Sequence, residues 1–121
     1  MSLDTHVTSM VRAIALHSIA ANLASPDTTG SWLNANTFDK GTFEFFNQAG
    51  TGSLTFSSQI CGSTSLTRPQ DTDDGFAIGS AVTNLGAVPF TGPVRWVKVK
   101  TPTLSVSGGA QLGIRLQSVS Y

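Results

Sequence analysis

The C-terminal part of the chain constrains the fold most, because three runs with strand character follow one another there. They are residues 92–100 (Gly-Pro-Val-Arg-Trp-Val-Lys-Val-Lys), residues 103–106 and residues 112–116. Alternation of apolar and polar side chains is typical of half-buried strands. Gly108 and Gly109, which precede the last run, are typical of a tight turn. These runs predict an antiparallel β meander with one apolar face.

The N-terminal residues 7–23 fit two structures. Leu3, Val7, Met10 or Val11, and Ile14 have the spacing of a helical stripe. In a strand, Ile14 and Leu16 would lie on one face and Ala13, Ala15, His17 and Ile19 on the other. Neither end of the segment carries a capping signal that separates these alternatives.

Because the chain that follows has strand character, a first strand is the favoured interpretation of this segment. We expect it at about residues 11–20, with a short helix within 3–23 as the alternative. The corresponding domain prediction is an N-terminal arm, residues 1–11, followed by one β-sandwich domain, residues 12–121.

The middle of the chain alternates short strands with turns. Residues 41–46 and 53–60 predict two strands, and the glycine-containing residues 48–52 between them predict a hairpin. Shorter strands are expected near residues 76–78 and 84–90. Turn signals recur about every 8 to 12 residues, which is typical of a sandwich or barrel. We therefore predict an all-β antiparallel sandwich of seven or eight strands.

The composition excludes recognition by charge. The chain has 121 residues, of which 12% are charged, and its seven basic and seven acidic residues give a net charge of zero. This length suits one domain. With no net field, we expect no nucleic-acid partner and no membrane partner. A net charge near zero favours association between protein surfaces.

The cysteine content and the hydropathy of the chain indicate the cellular compartment of the protein. Cys61 is the single cysteine, so an intramolecular disulfide cannot form. The N-terminal residues lack the basic and apolar regions of a signal peptide, and no run reaches the ~20 apolar residues of a membrane span. We expect a soluble protein made in the cytoplasm, a reducing compartment.

Residues 71–75 (Asp-Thr-Asp-Asp-Gly) form the single carboxylate cluster of the sequence. Calcium sites need several oxygen ligands that converge on one ion. An EF-hand loop would require a glutamate at its twelfth position, where this chain has Val82. The cluster therefore predicts a solvated turn, in which aspartates accept hydrogen bonds from local backbone amides, rather than a metal site.

Candidate catalytic residues do not form a recognisable constellation. His6 and His17 have no metal-ligating neighbour at ligand spacing. Cys61 could use His17 as a base, but no third residue would orient that base, and we interpret Cys61 as a buried small side chain. Serine-elbow and phosphate-loop motifs do not occur. We predict that the protein is not an enzyme and uses no cofactor, metal or small-molecule substrate.

Arg95, Lys98 and Lys100 surround Trp96, a combination found in proteins that bind single-stranded nucleic acid. Strand alternation, however, places Arg95 on the opposite face from Trp96, Lys98 and Lys100, which divides the basic patch. We therefore interpret Trp96, together with Trp32, as a packing anchor or an interface residue.

Four segments in order along the chain carry a resemblance to a known group. These are residues 29–35, 41–45, 50–56 and 92–100. Together they resemble small β-sandwich virion proteins of tailed bacteriophages, and the similarity extends over residues 12–118.

The resemblance implies a jelly-roll-like sandwich and a structural role on the virion. The expected function is capsid decoration or cementing, with the major capsid protein as partner and the chain itself as a homodimer or homotrimer on the capsid surface. The alternative is a tail or head-fibre component, or a carbohydrate-binding adhesin with an aromatic stacking platform. The candidate interface residues are Leu3, Val7, Trp32, Phe46 and Trp96.

Overall fold

The described part of the chain forms eight β-strands. The computed structural model of the protein describes residues 13–35, 40–91 and 94–120, and the side chains within 23–35, 40–91 and 94–117. Its strands are β1 (Ala13–Leu23), β2 (Leu33–Asn34), β3 (Lys40–Ala49), β4 (Leu54–Ser63), β5 (Phe76–Ala77), β6 (Gly86–Thr91), β7 (Trp96–Val106) and β8 (Gln111–Ser120).

The strands form two four-stranded sheets that together make a jelly roll. One sheet has the order β1-β8-β3-β6, and the other has the order β2-β7-β4-β5. Every pair is antiparallel, and among consecutive strands only β4 and β5 share a sheet. All other connections cross between the sheets, as in a jelly roll. The predicted all-β sandwich is confirmed, and the described residues contain no helix.

The core lies between the sheets and is built from the alternating side chains of the long strands. Phe45 of β3 stacks on Phe56 of β4, with ring centroids 5.9 Å apart, which joins the two sheets. Phe43 and Phe90 pack within one sheet at 5.3 Å. The other buried apolar residues include Ile60, Val97, Val99, Leu112, Ile114 and Leu116.

The predicted hairpin and the predicted C-terminal meander are both wrong. β3 pairs with β6 and β8, while β4 pairs with β5 and β7. The turns at 50–53 and 107–110 therefore join strands of different sheets. They pack on each other so closely that a Cβ on Gly52 would lie 1.5 Å from the carbonyl oxygen of Ser107. Crossing between sheets lets the apolar stripes on both sides of each turn face each other across the core.

The predicted break between residues 100 and 103 is also wrong, because β7 is one strand. Its ladder with β4 shifts register where Ser57 and Gln59 face Thr103 and Lys100. This bulge accommodates Pro102, which cannot donate a ladder hydrogen bond.

The N-terminal segment is a strand. β1 pairs with β8 from Ala13 opposite Ser120 to Leu23 opposite Leu112, so the helical alternative is wrong for residues 13–23. The predicted arm, residues 1–11, lies outside the described residues. Within the described part of the chain, no helix has the length and hydropathy needed to cross a membrane.

Candidate functional site: a tied loop over one sheet

The site is built on the outer face of the β2-β7-β4-β5 sheet. Val97 and Val99 point into the core, so Lys98 between them points to the opposite face. An outward-pointing lysine is normally solvated, yet the Lys98 side chain is 0% exposed. The cover is the connection between β4 and β5, residues 64–75, which we call the tied loop.

Lys98 holds the tied loop through its ammonium group. Nζ donates to the carbonyl oxygens of Asp71 at 2.6 Å and Asp73 at 3.0 Å, and to Oδ1 of Asp74 at 3.2 Å. These three acceptors match the three hydrogens of an ammonium group. Nζ also lies 4.8 Å from the centre of the Trp32 ring, within the range of a cation–π interaction. The buried charge is therefore fully compensated, as its burial requires.

Two tryptophans tie the same loop to the sheet. Trp32 Nε1 donates to the carbonyl oxygens of Gln70 at 3.0 Å and Asp73 at 3.1 Å. Trp96 Nε1 donates to the carbonyl oxygen of Ser65 at 3.0 Å. The loop backbone is thus fixed near its beginning and near its end by side chains of the sheet and its flank.

Arg68 ties the loop to the segment before β2. One guanidinium nitrogen donates to Oδ1 of Asp71 at 3.0 Å, to Ser31 Oγ at 3.2 Å and to the carbonyl oxygen of Trp32 at 3.3 Å. Asp71 Oδ1 also accepts from the backbone amide of Trp32 at 3.3 Å. The Arg68 and Asp71 side chains are half-exposed, so each contact of Arg68 contributes less to the stability of the loop than a contact of the buried Lys98.

The segment that carries Trp32 lies directly on β7 because Gly30 permits it. Gly30 has a positive φ of 69°, and a Cβ there would lie 2.6 Å from the carbonyl oxygen of Val99. Glycine is the residue that combines this conformation with so close an approach. Asp27 Oδ1 accepts from the Gly30 amide at 3.0 Å and fixes the turn.

The ionisable groups around the loop are shifted in consistent directions. Hydrogen bonds from Lys100 and Lys98 lower the pKa of Asp74, and the hydrogen bond to Asp74 raises the pKa of Lys100. Lys100 Nζ lies 2.7 Å from Asp74 Oδ2. Cys61, opposite Lys98 in the ladder, is buried, and its burial raises the pKa of its thiol. The ion pairs favour the charged forms, and the thiol is held in its protonated form.

The tied loop presents one apolar side chain to solvent. Leu66 is 81% exposed, although the loop that carries it is held by a buried lysine, two indoles and an arginine. A leucine held in water does not stabilise the fold. A fixed loop with an exposed apolar side chain has the features of an interface anchor, because little conformational freedom is lost when a partner binds.

The structure brings two of the predicted interface residues together and separates a third. Trp32 is only 4% exposed, so its ring packs inside the fold and serves as the packing anchor. Trp96 is half-buried beside the same loop. Phe46 lies on the other sheet, half-buried, with the Arg115 guanidinium 4.3 Å above its ring. Leu3 and Val7 lie outside the described residues.

The aspartate cluster belongs to the tied loop. The predicted local turn is confirmed in part, since the Gly75 amide donates to Asp73 Oδ1 at 3.0 Å. The sequence placed Lys98 in a basic strand but did not predict that its ammonium would be buried where the carbonyl groups of the loop converge. The available signal was a lysine on the same strand face as Trp96 and Lys100, in a chain with a single acidic cluster.

The other candidate residues take no part in this site. His17 lies in β1 opposite Leu116, and His6 lies outside the described residues. Cys61 is 2% exposed, which confirms the interpretation of a buried small side chain. Within residues 13–35, 40–91 and 94–120, no group of three or more His, Cys, Asp or Glu side chains is placed to hold a metal ion.

The fold and the site define a jelly-roll domain with a preorganised surface loop. No family model and no curated protein matches the sequence. Among solved structures, the chain is similar to the crystal structure of SPBc2 prophage-derived protein YomS, with a TM-score of 0.62 and 13% sequence identity. The similarity covers 89% of this chain and 94% of that chain. At so low a sequence identity, the similarity shows that the two proteins share a fold and nothing more.

Proposed function

We propose that the protein is a structural virion protein of a tailed bacteriophage, and that it decorates the capsid by binding across neighbouring major capsid subunits. Two observations support the phage assignment. The fold is similar over most of its length to that of a prophage-derived protein, and four ordered sequence segments resemble phage virion sandwiches. The capsid role is supported by the surface of the domain, and above all by the tied loop.

The tied loop carries the argument for capsid binding. It holds Leu66 in solvent on a backbone whose shape is fixed before any partner arrives. A decoration protein must add to a shell that is already assembled, so its contact residues have to be in place in the free protein. An apolar anchor surrounded by the polar residues of the loop has the anatomy of a protein interface, with a dry centre and a wet rim.

The proposed action is stabilisation by mass action. A protein that binds the assembled lattice and has no affinity for the dissociated subunit shifts the equilibrium towards the shell, and the effect increases with its concentration. A neutral domain with a net charge of zero suits repeated placement on one surface, because neighbouring copies do not repel one another.

The stacking-platform alternative is disfavoured by the positions of the three aromatic side chains predicted for it. Sugar stacking requires an open ring face. Trp32 is 4% exposed, and its ring faces the Lys98 ammonium. The face of Phe46 is covered by Arg115. Trp96 is half-buried, with its indole nitrogen already bonded to Ser65.

Undecorated shells of the source phage test this proposal. We expect the purified protein to co-sediment with the shells and to raise their melting temperature in proportion to occupancy. Leu66→Asp should weaken binding at least tenfold, because it places a charge in the dry centre of the contact. Thr67→Asp is the matched control, since it adds the same charge at the exposed neighbouring position and keeps Leu66.

Two results would count against the proposal. One is a wild-type protein that leaves both the sedimentation and the melting temperature of the shells unchanged. The other is a Leu66→Asp variant that binds as tightly as the Thr67→Asp control.

A further inference from the structure

The tied loop ends in the one Asp-Gly sequence of the chain, Asp74–Gly75, and the sequence contains no Asn-Gly. Where an aspartate precedes a glycine, the backbone nitrogen of the glycine can attack the carboxyl carbon of the aspartate side chain. Glycine favours this ring closure because it has no Cβ to obstruct the approach. By sequence, Asp74–Gly75 is therefore the point at which the main chain is most prone to rearrange.

The fold requires both residues of this pair. Gly75 has a positive φ of 56°, and a Cβ there would lie 2.1 Å from the carbonyl oxygen of Gly62, so glycine is needed at this position. Asp74 supplies the carboxylate that accepts from Lys98 Nζ at 3.2 Å and from Lys100 Nζ at 2.7 Å. The ties of the loop thus depend on a sequence that is chemically labile.

The same ties restrain the three changes that ring closure needs. The carboxyl group must turn towards the Gly75 nitrogen, but Asp74 Oδ1 is held by Lys98 and Oδ2 by Lys100. The carboxyl group must also be protonated, whereas the hydrogen bonds from Lys100 and Lys98 lower the pKa of Asp74. The nitrogen must lose its proton, which the Gly75 amide donates to Asp73 Oδ1 at 3.0 Å. Release of the loop removes all three restraints.

We propose that Asp74–Gly75 is a latent modification site, which forms isoaspartate when the tied loop opens and which Lys98 and Lys100 keep unreactive while the loop is tied. In the first step the Gly75 nitrogen bonds to Cγ of Asp74. The amide proton and the carboxyl hydroxyl group leave as water, and a succinimide ring remains. Water then adds to one ring carbonyl and breaks the bond of that carbon to nitrogen. Cleavage at Cγ restores aspartate, and cleavage at the α-carbonyl carbon gives isoaspartate.

Isoaspartate at position 74 is incompatible with the tied loop. The main chain then passes through Cβ and Cγ, which lengthens the connection between Asp73 and Gly75 by one carbon atom. Lys98 bonds the carbonyl oxygen of Asp73 at 3.0 Å, and the Gly75 amide bonds the Asp73 side chain, so both contacts depend on this spacing. A loop that has opened and reacted therefore cannot be tied again, and the site keeps a permanent record of the opening.

The site does not depend on the proposed capsid role, because the purified chain is sufficient to test it. The protein is incubated in mildly acidic buffer, and isoaspartate is measured with a methyltransferase specific for it and located by peptide mapping. The native wild type should form isoaspartate at position 74 at least tenfold more slowly than the same protein in urea, because the native loop opens rarely. Lys100→Met should raise the native rate about fivefold. Lys40→Met is the matched control, since it removes the same charge from β3 in the other sheet, and it should leave the rate unchanged.

Asp73→Ala tests the restraint on the amide separately, because it removes the acceptor of the Gly75 proton and keeps both lysines. We expect it to raise the native rate as well. All rates are read under conditions in which thermal unfolding shows each variant to be folded. The proposal is overturned by a native wild type that reacts as fast as the protein in urea, or by a Lys100→Met protein that reacts no faster than Lys40→Met. A slower reaction in Asp73→Ala would also overturn it, since the Asp73 carboxylate would then act as a base that promotes ring closure.

Discussion

The two connections that flank β5 differ in how they are held. The tied loop, residues 64–75, is fixed by the Lys98 ammonium, by two indole nitrogens and by Arg68. Residues 79–85, which follow β5, are held by a backbone bridge and a buried side chain at Val82 and by the Gln59 side-chain amide, which donates to the carbonyl oxygen of Gly79 at 3.3 Å, whereas a Cβ on Gly79 would lie in open space. Each connection exposes a leucine, Leu66 in the first and Leu85 in the second.

The difference shows two ways in which a small sandwich can present an apolar anchor. A fixed loop loses little conformational entropy on binding, so most of the contact energy is available for affinity. A connection with fewer side-chain ties loses more conformational entropy when a partner binds. The two connections should therefore respond differently to the same kinds of mutation.

The largest expected effect is that of Lys98→Met on the tied loop. The variant leaves the carbonyl oxygen of Asp71 without a donor, which costs about 2 kcal/mol, and it removes a charged hydrogen bond to the carbonyl oxygen of Asp73, which costs about another 2 kcal/mol although Trp32 Nε1 still donates to that oxygen. We expect a loss of about 4 kcal/mol in urea unfolding. Lys100→Met is the control, because Lys100 binds the same Asp74 carboxylate from a more exposed position, and it should cost less than about 1 kcal/mol.

The Cys61 thiol reports on the same change. It is buried and faces Lys98 in the ladder, so it should react slowly with a disulfide reagent in the native protein and faster in Lys98→Met. Equal stabilities of Lys98→Met and Lys100→Met would show that the loop does not depend on the buried ammonium.

Gly30 and Gly79 have nearly the same φ, so alanine substitutions at the two positions compare how tightly the surrounding backbone is packed. Gly30→Ala introduces a Cβ that overlaps the carbonyl oxygen of Val99, whereas Gly79→Ala introduces one into open space. The left-handed conformation costs about 1 kcal/mol in both variants, and the overlap adds about 2 kcal/mol in Gly30→Ala. Thermal unfolding should therefore rank Gly30→Ala well below Gly79→Ala. Similar melting temperatures would mean that the segment before β2 is not held against β7.

The smallest expected effect is the pH dependence contributed by Asp74. Its pKa is lowered in the folded protein by hydrogen bonds from Lys100 and Lys98. The resulting stability is present above the unfolded value of about 4 and is lost as the pH falls through the folded pKa. Asp74→Asn should therefore be less stable than wild type at pH 7 and equally stable at the lowest pH tolerated. A difference that does not change with pH would contradict this role.

The sequence predicted the strands better than their partners. Alternation located β3, β4 and β8 because it records which side chains are buried, and Phe43, Phe45, Phe56 and Ile114 are all in the core. The same alternation arises whether the next strand lies beside a strand or across the core from it. The hairpin and the meander were wrong for this reason, and the bulge at Pro102 let one strand continue where a break was expected.

The tied loop was beyond prediction from local patterns. Lys98 lies between two core valines, and its position in the strand indicates only that it faces outward. Its burial depends on a loop more than twenty residues earlier in the chain, whose carbonyl groups have no signature in the sequence. Trp32 and Trp96 were predicted as packing anchors or interface residues, and local patterns did not indicate that their indole nitrogens bond the backbone of the tied loop.

Electron cryomicroscopy of the source particle tests whether the protein decorates a capsid through the tied loop, as we propose. We expect density for this jelly roll repeated over the shell at lattice symmetry, with residues 64–75 against the major capsid protein. Density confined to a single vertex, to the tail or to a fibre, or contact with the shell through a surface that leaves Leu66 in solvent, would contradict it.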